Sequence, residues 1–174
     1  MANTQHRPDD AALTVATGED TTQQAVPYDL IELLFFAYRD FVGGPDLILA
    51  EYGFGRAHHR VLHFVLRRPG LTIAELLDIL KITKQSLNRV LKELVETGFV
   101  EQRTGVHDKR QRHLHATHSG QDLALRLVQL QAKRINGSLS HLPPEAAQTI
   151  AHYLAGLIDP AERHKVRGFL AIPQ

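Results

Sequence analysis

The chain has 174 residues, 43% hydrophobic and 22% charged, a mix that fits one globular domain and is too short for two large ones. It has no cysteine, which excludes disulfides, thiolate metal sites and cysteine nucleophiles, and no apolar run approaches the ~18–20 residues of a bilayer span. The net charge of +1 hides a segregation: two basic and nine acidic side chains precede residue 56, whereas residues 56–112 hold twelve basic and six acidic ones. A basic middle of this kind suits a nucleic-acid footprint.

Residues 1–26 are polar and without periodicity, and are expected to be a disordered tail. They hold no basic stretch followed by an apolar core, so no secretory signal is read and a cytoplasmic location is expected. From Tyr28, YDLIELLFFAYRDFV places Leu30, Leu33, Leu34, Ala37, Phe41 and Val42 at helical spacing. Gly43-Gly44-Pro45 should kink or break that helix. RAHHRVLHFVLRRPG reads as a second helix with Val61, Leu62, Val65 and Leu66 inward and Pro69-Gly70 as its stop. Thr72-Ile73-Ala74-Glu75 fits a capping box opening a short third helix.

After a brief turn at 81–83, Thr83 is a good N-cap for KQSLNRVLKELVET, whose Leu87, Val90, Leu91, Leu94 and Val95 share a face, with Gly98 closing it. Alternation in FVEQR and RHLHATH around a polar, basic turn predicts a hairpin. Ser119-Gly120-Gln121-Asp122 can start a long helix, Pro143-Pro144 another, and Asp159-Pro160 a last one reaching about Leu170.

Two short capped helices joined by a tight turn suit helix-turn-helix recognition. The second presents Thr83, Lys84, Gln85, Ser86, Asn88, Arg89 and Lys92: amides, a hydroxyl and arginine can read base edges, and lysine neutralises phosphate. The bland alternative is a solvated face on a core helix. A basic hairpin directly after it weighs against that alternative, because Lys109, Arg110 and Arg112 can follow the backbone or enter a narrow minor groove. Arg110 is the candidate for insertion, with Asp108 as the anchor that orients it.

With these residues in place, LTIAELLDILKITKQSLNRVLKELVETGFVEQRTGVHDKRQRHLHATHSG (residues 71–120) resembles the MarR family of bacterial winged-helix transcriptional regulators. It carries the helix-turn-helix ending in glycine, a D-x-R wing and a T-x-x-G-like close at Thr117 and Gly120. FFAYRDF, AEYGFGRAHHRVLHFV and ILKITKQSL are similar to the proteobacterial PetP-type subgroup. Departures are Ala116-Thr117 for the usual Leu-Thr, Ser119 for a commonly acidic residue, and Gly43-Gly44-Pro45.

The resemblance implies a mostly α fold with a small two- or three-stranded β-wing. Residues 56–118 would form a winged helix-turn-helix lobe, and residues 27–55 and 119–174 a helical dimerisation region. It further implies a homodimer on double-stranded DNA, reading a pseudo-palindromic operator, most often as a repressor. Apolar N- and C-terminal helices support the dimer independently.

The resemblance also implies a small anionic aromatic effector. Arg56, His59, Arg60 and His63 are the possible cationic partners, and Tyr38 and Phe41 the apolar walls. Alternatively, Arg56 and Arg60 contact phosphate or an acidic residue of the first helix. His59 and His63, at i, i+4, have a spacing that can chelate zinc, but no acidic residue completes a local motif. A zinc-sensing regulator is therefore a lesser alternative, and no cofactor, metal or membrane partner is assigned. An enzyme is not expected, since no H-E-x-x-H, nucleophile elbow or Walker A signature occurs. A purely interacting dimer would not need the polar readers and the basic wing.

Overall fold

The computed structural model describes residues 26–105 and 111–170, which fall into two units, the first ending at Asp40 and the second starting at Phe41. Among the described residues the elements are α1 (Tyr28–Ala50), α2 (Arg56–Arg67), β1 (Leu71–Thr72), α3 (Ile73–Leu80), α4 (Lys84–Glu96), β2 (Val100–Thr104), β3 (Arg112–Ala116), α5 (His118–Leu139), α6 (Ala146–Leu157) and α7 (Arg163–Leu170). The fold is thus mostly helical with a small sheet, as expected. No helix among the described residues is long and apolar enough to cross a membrane.

In the first unit, the opening turns of α1 leave Leu33, Leu34, Phe35, Phe36 and Tyr38 exposed, and Arg39 lies over the Phe36 ring while pairing with Asp40. The break anticipated at Gly43-Gly44-Pro45 does not occur, and α1 runs on through Pro45. Proline removes one backbone donor, but Val42, Pro45 and Leu49 are all buried, and that packing holds the helix together across the missing bond.

The core of the second unit is built where the helical faces converge. Val61, Leu62 and Val65 of α2, Leu76 and Leu80 of α3, and Leu87, Val90, Leu91 and Leu94 of α4 meet Leu123, Ala124 and Leu127 of α5. Val100 and Leu114 seal this cluster from the sheet. Val95, expected on the buried face of α4, is exposed instead, because it stands at the edge of the stripe formed by Leu87, Leu91 and Leu94.

Helix starts follow local chemistry. Thr72 Oγ1 accepts from the Glu75 amide at 3.2 Å, and the Glu75 carboxylate accepts from Thr72 N–H at 2.8 Å, so the capping box forms as read. Thr83 caps α4 by accepting from Ser86 N–H at 3.2 Å. The turn between α3 and α4 is made by Lys81 in the left-handed region, φ 50°. Gly98 ends the α4 segment at φ 76°, a conformation that strains any side chain.

The sheet is antiparallel in the order β1-β3-β2, with Leu71 opposite Leu114 and Val100 opposite Ala116. The hairpin was legible, whereas β1 is too short for alternation to mark. It exists because Gly70 N–H reaches the Leu114 carbonyl at 2.8 Å and aligns the next two residues.

The cap of α5 is Thr117 rather than Ser119: Thr117 Oγ1 accepts from Gly120 N–H at 3.1 Å and donates to the Gly98 carbonyl at 2.6 Å. Gly120 is needed here. A Cβ on it would stand 1.9 Å from the Phe99 carbonyl oxygen. The T-x-x-G close therefore joins the start of α5 to the root of the hairpin.

Candidate nucleic-acid interface

Along α4 Leu87, Val90, Leu91 and Leu94 turn one face inward, which leaves Lys84, Gln85, Ser86, Asn88, Arg89 and Lys92 exposed on the other. Lys84, Gln85, Asn88 and Arg89 make no side-chain hydrogen bond or ion pair among the described residues, so their donors are available to a partner. Thr83 and Ser86 are differently engaged. Thr83 serves as the cap, and its hydroxyl donates to Ser86 Oγ at 2.9 Å. Lys92 stands 3.7 Å from Glu96 in a loose, exposed pair. The amide groups at the start of α4 add the positive end of the helix dipole on the same side.

The hairpin lies beside this face. Asn88, Lys92 and Gln102 line a shared groove with Ile73 and Val95. Of the wing candidates, Asp108, Lys109 and Arg110 lie outside the described residues, so the insertion and anchoring roles given to Arg110 and Asp108 have no structural description. Arg112 is exposed at the turn end of the hairpin, in the last strand pair, where its guanidinium donates to the Thr104 hydroxyl. Arg103 pairs with Glu101 across 2.9 Å on the same exposed strand.

Behind α4, a residue that sequence reading passed over ties the helix to its neighbours. His58 is buried at the start of α2, accepts Gly55 N–H at Nδ1 (3.1 Å) and contacts Glu93 of α4 through Nε2 (2.7 Å). Phe54 stacks on its ring, with centroids 4.6 Å apart and planes within 10°. No local motif marks Glu93 as its partner, because the two are 35 residues apart.

The six effector-pocket candidates fall in both units. Tyr38 lies in the first unit and the other five in the second. Arg56 pairs with Asp46 of α1 at 2.8 Å, as the alternative reading of the arginines allowed. His59 is buried; burial and then the neighbouring His63 lower its pKa, with Asp46 pulling the other way. Burial, then Arg67, lowers that of His63. Both imidazoles therefore favour the neutral form, but no group of three His, Cys, Asp or Glu that could hold a metal is found among the described residues. Phe41 is half-buried, and Arg60 is exposed with no ion pair among the described residues.

Of the six, only His63 lines a cavity of about 430 Å³ in the second unit, bordered by α2, α3 and α7. Phe64, Ile79, Val166, Phe169 and Leu170 supply its apolar wall. Lys81 and Lys165 are neutralised by Asp78 and Glu162, at 2.7–3.9 Å, which leaves Arg67 as the lining cation without a partner among the described residues. Arg68 holds α7 in place, donating to the Gly168 and Phe169 carbonyls at 3.1 and 2.9 Å. A last helix reaching about Leu170 was legible in the sequence. Nothing local showed that it would cover α2.

A capped helix-turn-helix with an exposed polar second helix, followed by an antiparallel hairpin, defines a winged-helix DNA-binding protein. The MarR family pattern matches residues 52–111. Over 133 residues the chain is 47% identical to the HTH-type transcriptional regulator PetP of Rhodobacter capsulatus, covering 76% of this chain and 80% of PetP. The chain belongs to the MarR family of transcriptional regulators, which are not enzymes.

Solved structures agree on the fold. Streptococcus pneumoniae FabT in complex with DNA has a TM-score of 0.65 at 16% identity, over 75% of this chain and 93% of that one. NadR in complex with 4-hydroxyphenylacetate has a TM-score of 0.62 at 19% identity, over 80% and 96%.

Proposed function

We propose that this regulator works in the cytoplasm as a homodimeric repressor on a pseudo-palindromic operator, released by a small anionic aromatic effector. Residues 56–118 form the DNA-binding lobe in this reading, with residues 27–55 and 119–174 assigned to dimerisation. The observation that carries it is the free polar face of α4, with Lys84, Gln85, Asn88 and Arg89 exposed and unengaged among the described residues. Gln85, Asn88 and Arg89 read bases, whereas Lys84 and Lys92, with Lys109, Arg110 and Arg112 of the wing, hold phosphates or the minor groove. Thr83 and Ser86 position the start of the helix, and Asp108 orients Arg110.

Support for the dimer comes from apolar side chains left exposed in each unit. Phe35 is 69% exposed in the first, and Tyr153, Leu154 and Leu157 of α6 are 47–54% exposed in the second. Support for the effector comes from the cavity beneath α7, whose volume lies within the range of small-molecule sites. Its aromatic edges and Arg67, which has no ion pair among the described residues, match an apolar body with one negative charge. The likeness in fold to NadR, solved with 4-hydroxyphenylacetate, is consistent with that choice.

The test is direct. Light scattering should report a dimer, and a duplex selected from a random library should bind it and be released by 4-hydroxyphenylacetate. Arg67→Ala should bind DNA normally but resist release. A monomer with full operator affinity would overturn the dimeric reading, and release unaffected by Arg67→Ala would overturn the effector site.

A further inference from the structure

His58 is a buried, titratable side chain that DNA contact does not use. It occupies the third residue of α2, where a glutamate or glutamine would usually accept the N-cap amide. Here the imidazole does so: Gly55 N–H donates to Nδ1 at 3.1 Å. With Nδ1 accepting, the proton of the neutral ring sits on Nε2, which faces Glu93 Oε2 at 2.7 Å and donates to it. Phe54 sets the plane of the ring, and Phe54 itself packs edge-on against Phe99 at the root of the hairpin, centroids 5.2 Å apart. The imidazole thus spans the start of α2 and the flank of α4, with its tautomer and plane both determined.

Glu93 is one helical turn from Arg89, on the border between the exposed face of α4 and its buried stripe. A bond at that border resists rotation of the helix about its own axis in a way that leucine packing alone does not. The side chains of a helix reach ~5–6 Å from its axis, so a rotation of about 10° moves a reading atom by ~1 Å. Base-edge hydrogen bonds do not survive that displacement. The same bond turns an anionic side chain, 44% exposed, toward α2 and away from the face offered to phosphate.

We propose that His58 is a positioning residue for DNA recognition, fixing the rotation of α4 through its hydrogen bond to Glu93. The proposal rests on α4 being the reading helix.

The test compares four full-length variants, His58→Ala, Glu93→Ala, Glu93→Gln and Arg89→Ala, on a duplex selected by the wild type and on random duplex. The readout is the ratio of the two affinities, with thermal melting confirming the fold. Charge alone predicts that Glu93→Ala and Glu93→Gln behave identically, both tightening binding to any duplex by removing an anion. Positioning predicts that they part. Gln keeps an oxygen acceptor for His58 Nε2–H and should keep the ratio, whereas Ala should lower it by about tenfold or more while random-duplex affinity rises. His58→Ala should lower the ratio similarly, and combining it with Glu93→Ala should add little further loss. If His58→Ala does not fold, the Glu93 pair still decides. Equal ratios for Glu93→Ala and Glu93→Gln, with Arg89→Ala reduced, would overturn the positioning role alone. Unchanged ratios in all variants would overturn the reading helix and the positioning role together.

Discussion

Gly120→Ala is the sharpest test of the junction that seats the wing. The added Cβ would lie 1.9 Å from the Phe99 carbonyl oxygen, 3.0 Å from its carbon and 3.4 Å from its Cα. Carbon–oxygen contacts settle near ~3.3 Å, so the two backbones must separate by about 1.4 Å. Neither can yield cheaply. The Phe99 carbonyl already accepts Thr117 N–H at 3.1 Å, and Thr117 Oγ1 donates to the Gly98 carbonyl at 2.6 Å.

Losing those two hydrogen bonds costs ~1 kcal/mol each, and residual crowding ~1–3 kcal/mol. Alanine returns ~0.5–1 kcal/mol through helix propensity. The expected net is a destabilisation of ~2–4 kcal/mol, or a fall in Tm of ~5–15 °C for a chain of this size. Gly98→Ala is the control. Its φ of 76° costs ~1–2 kcal/mol, but nothing stands within 4 Å of its Cβ. Calorimetry or urea titration of both variants at one protein concentration gives the comparison. If Gly120→Ala is no less stable than Gly98→Ala, the close approach of α5 to the hairpin root is absent and the argument is wrong.

Further expectations are open to simple assays. Glu75 has its pKa lowered, first by the Thr72 backbone N–H, then by the Thr72 hydroxyl. Its contribution to stability is therefore complete above its ordinary value of 4.5 and is lost as pH falls through the lower folded value. Denaturation of wild type and Glu75→Gln should converge on acidification, and a gap independent of pH would refute the ionic form of the capping box. Thr83→Ala should cost ~1 kcal/mol of stability by uncapping α4, which urea titration will show. Arg110→Ala should reduce the slope of log affinity against log salt by about one to two for a dimer, leaving base preference intact. Identical slopes for wild type and variant would mean that the wing does not touch DNA.

Much of this protein was legible from residues a few positions apart. Thr72 with Glu75, Thr83 with Ser86, and the leucine stripe of α4 are local arrangements, in which chemistry and helical period act over one or two turns. The polar face later found exposed on α4 followed directly from where its leucines fall. The tertiary structure decided what those local signals could not carry. Pro45 stays helical because Val42 and Leu49 are buried, and β1 forms because Gly70 meets Leu114. Thr117 outcompetes Ser119 as the cap of α5 because its hydroxyl also reaches the Gly98 carbonyl. The cavity under α7 and the His58–Glu93 bond likewise join groups far apart in the chain. Short-range preferences are summed from neighbouring residues and can be read in order, whereas these contacts exist only after the chain has brought distant backbones within hydrogen-bonding distance.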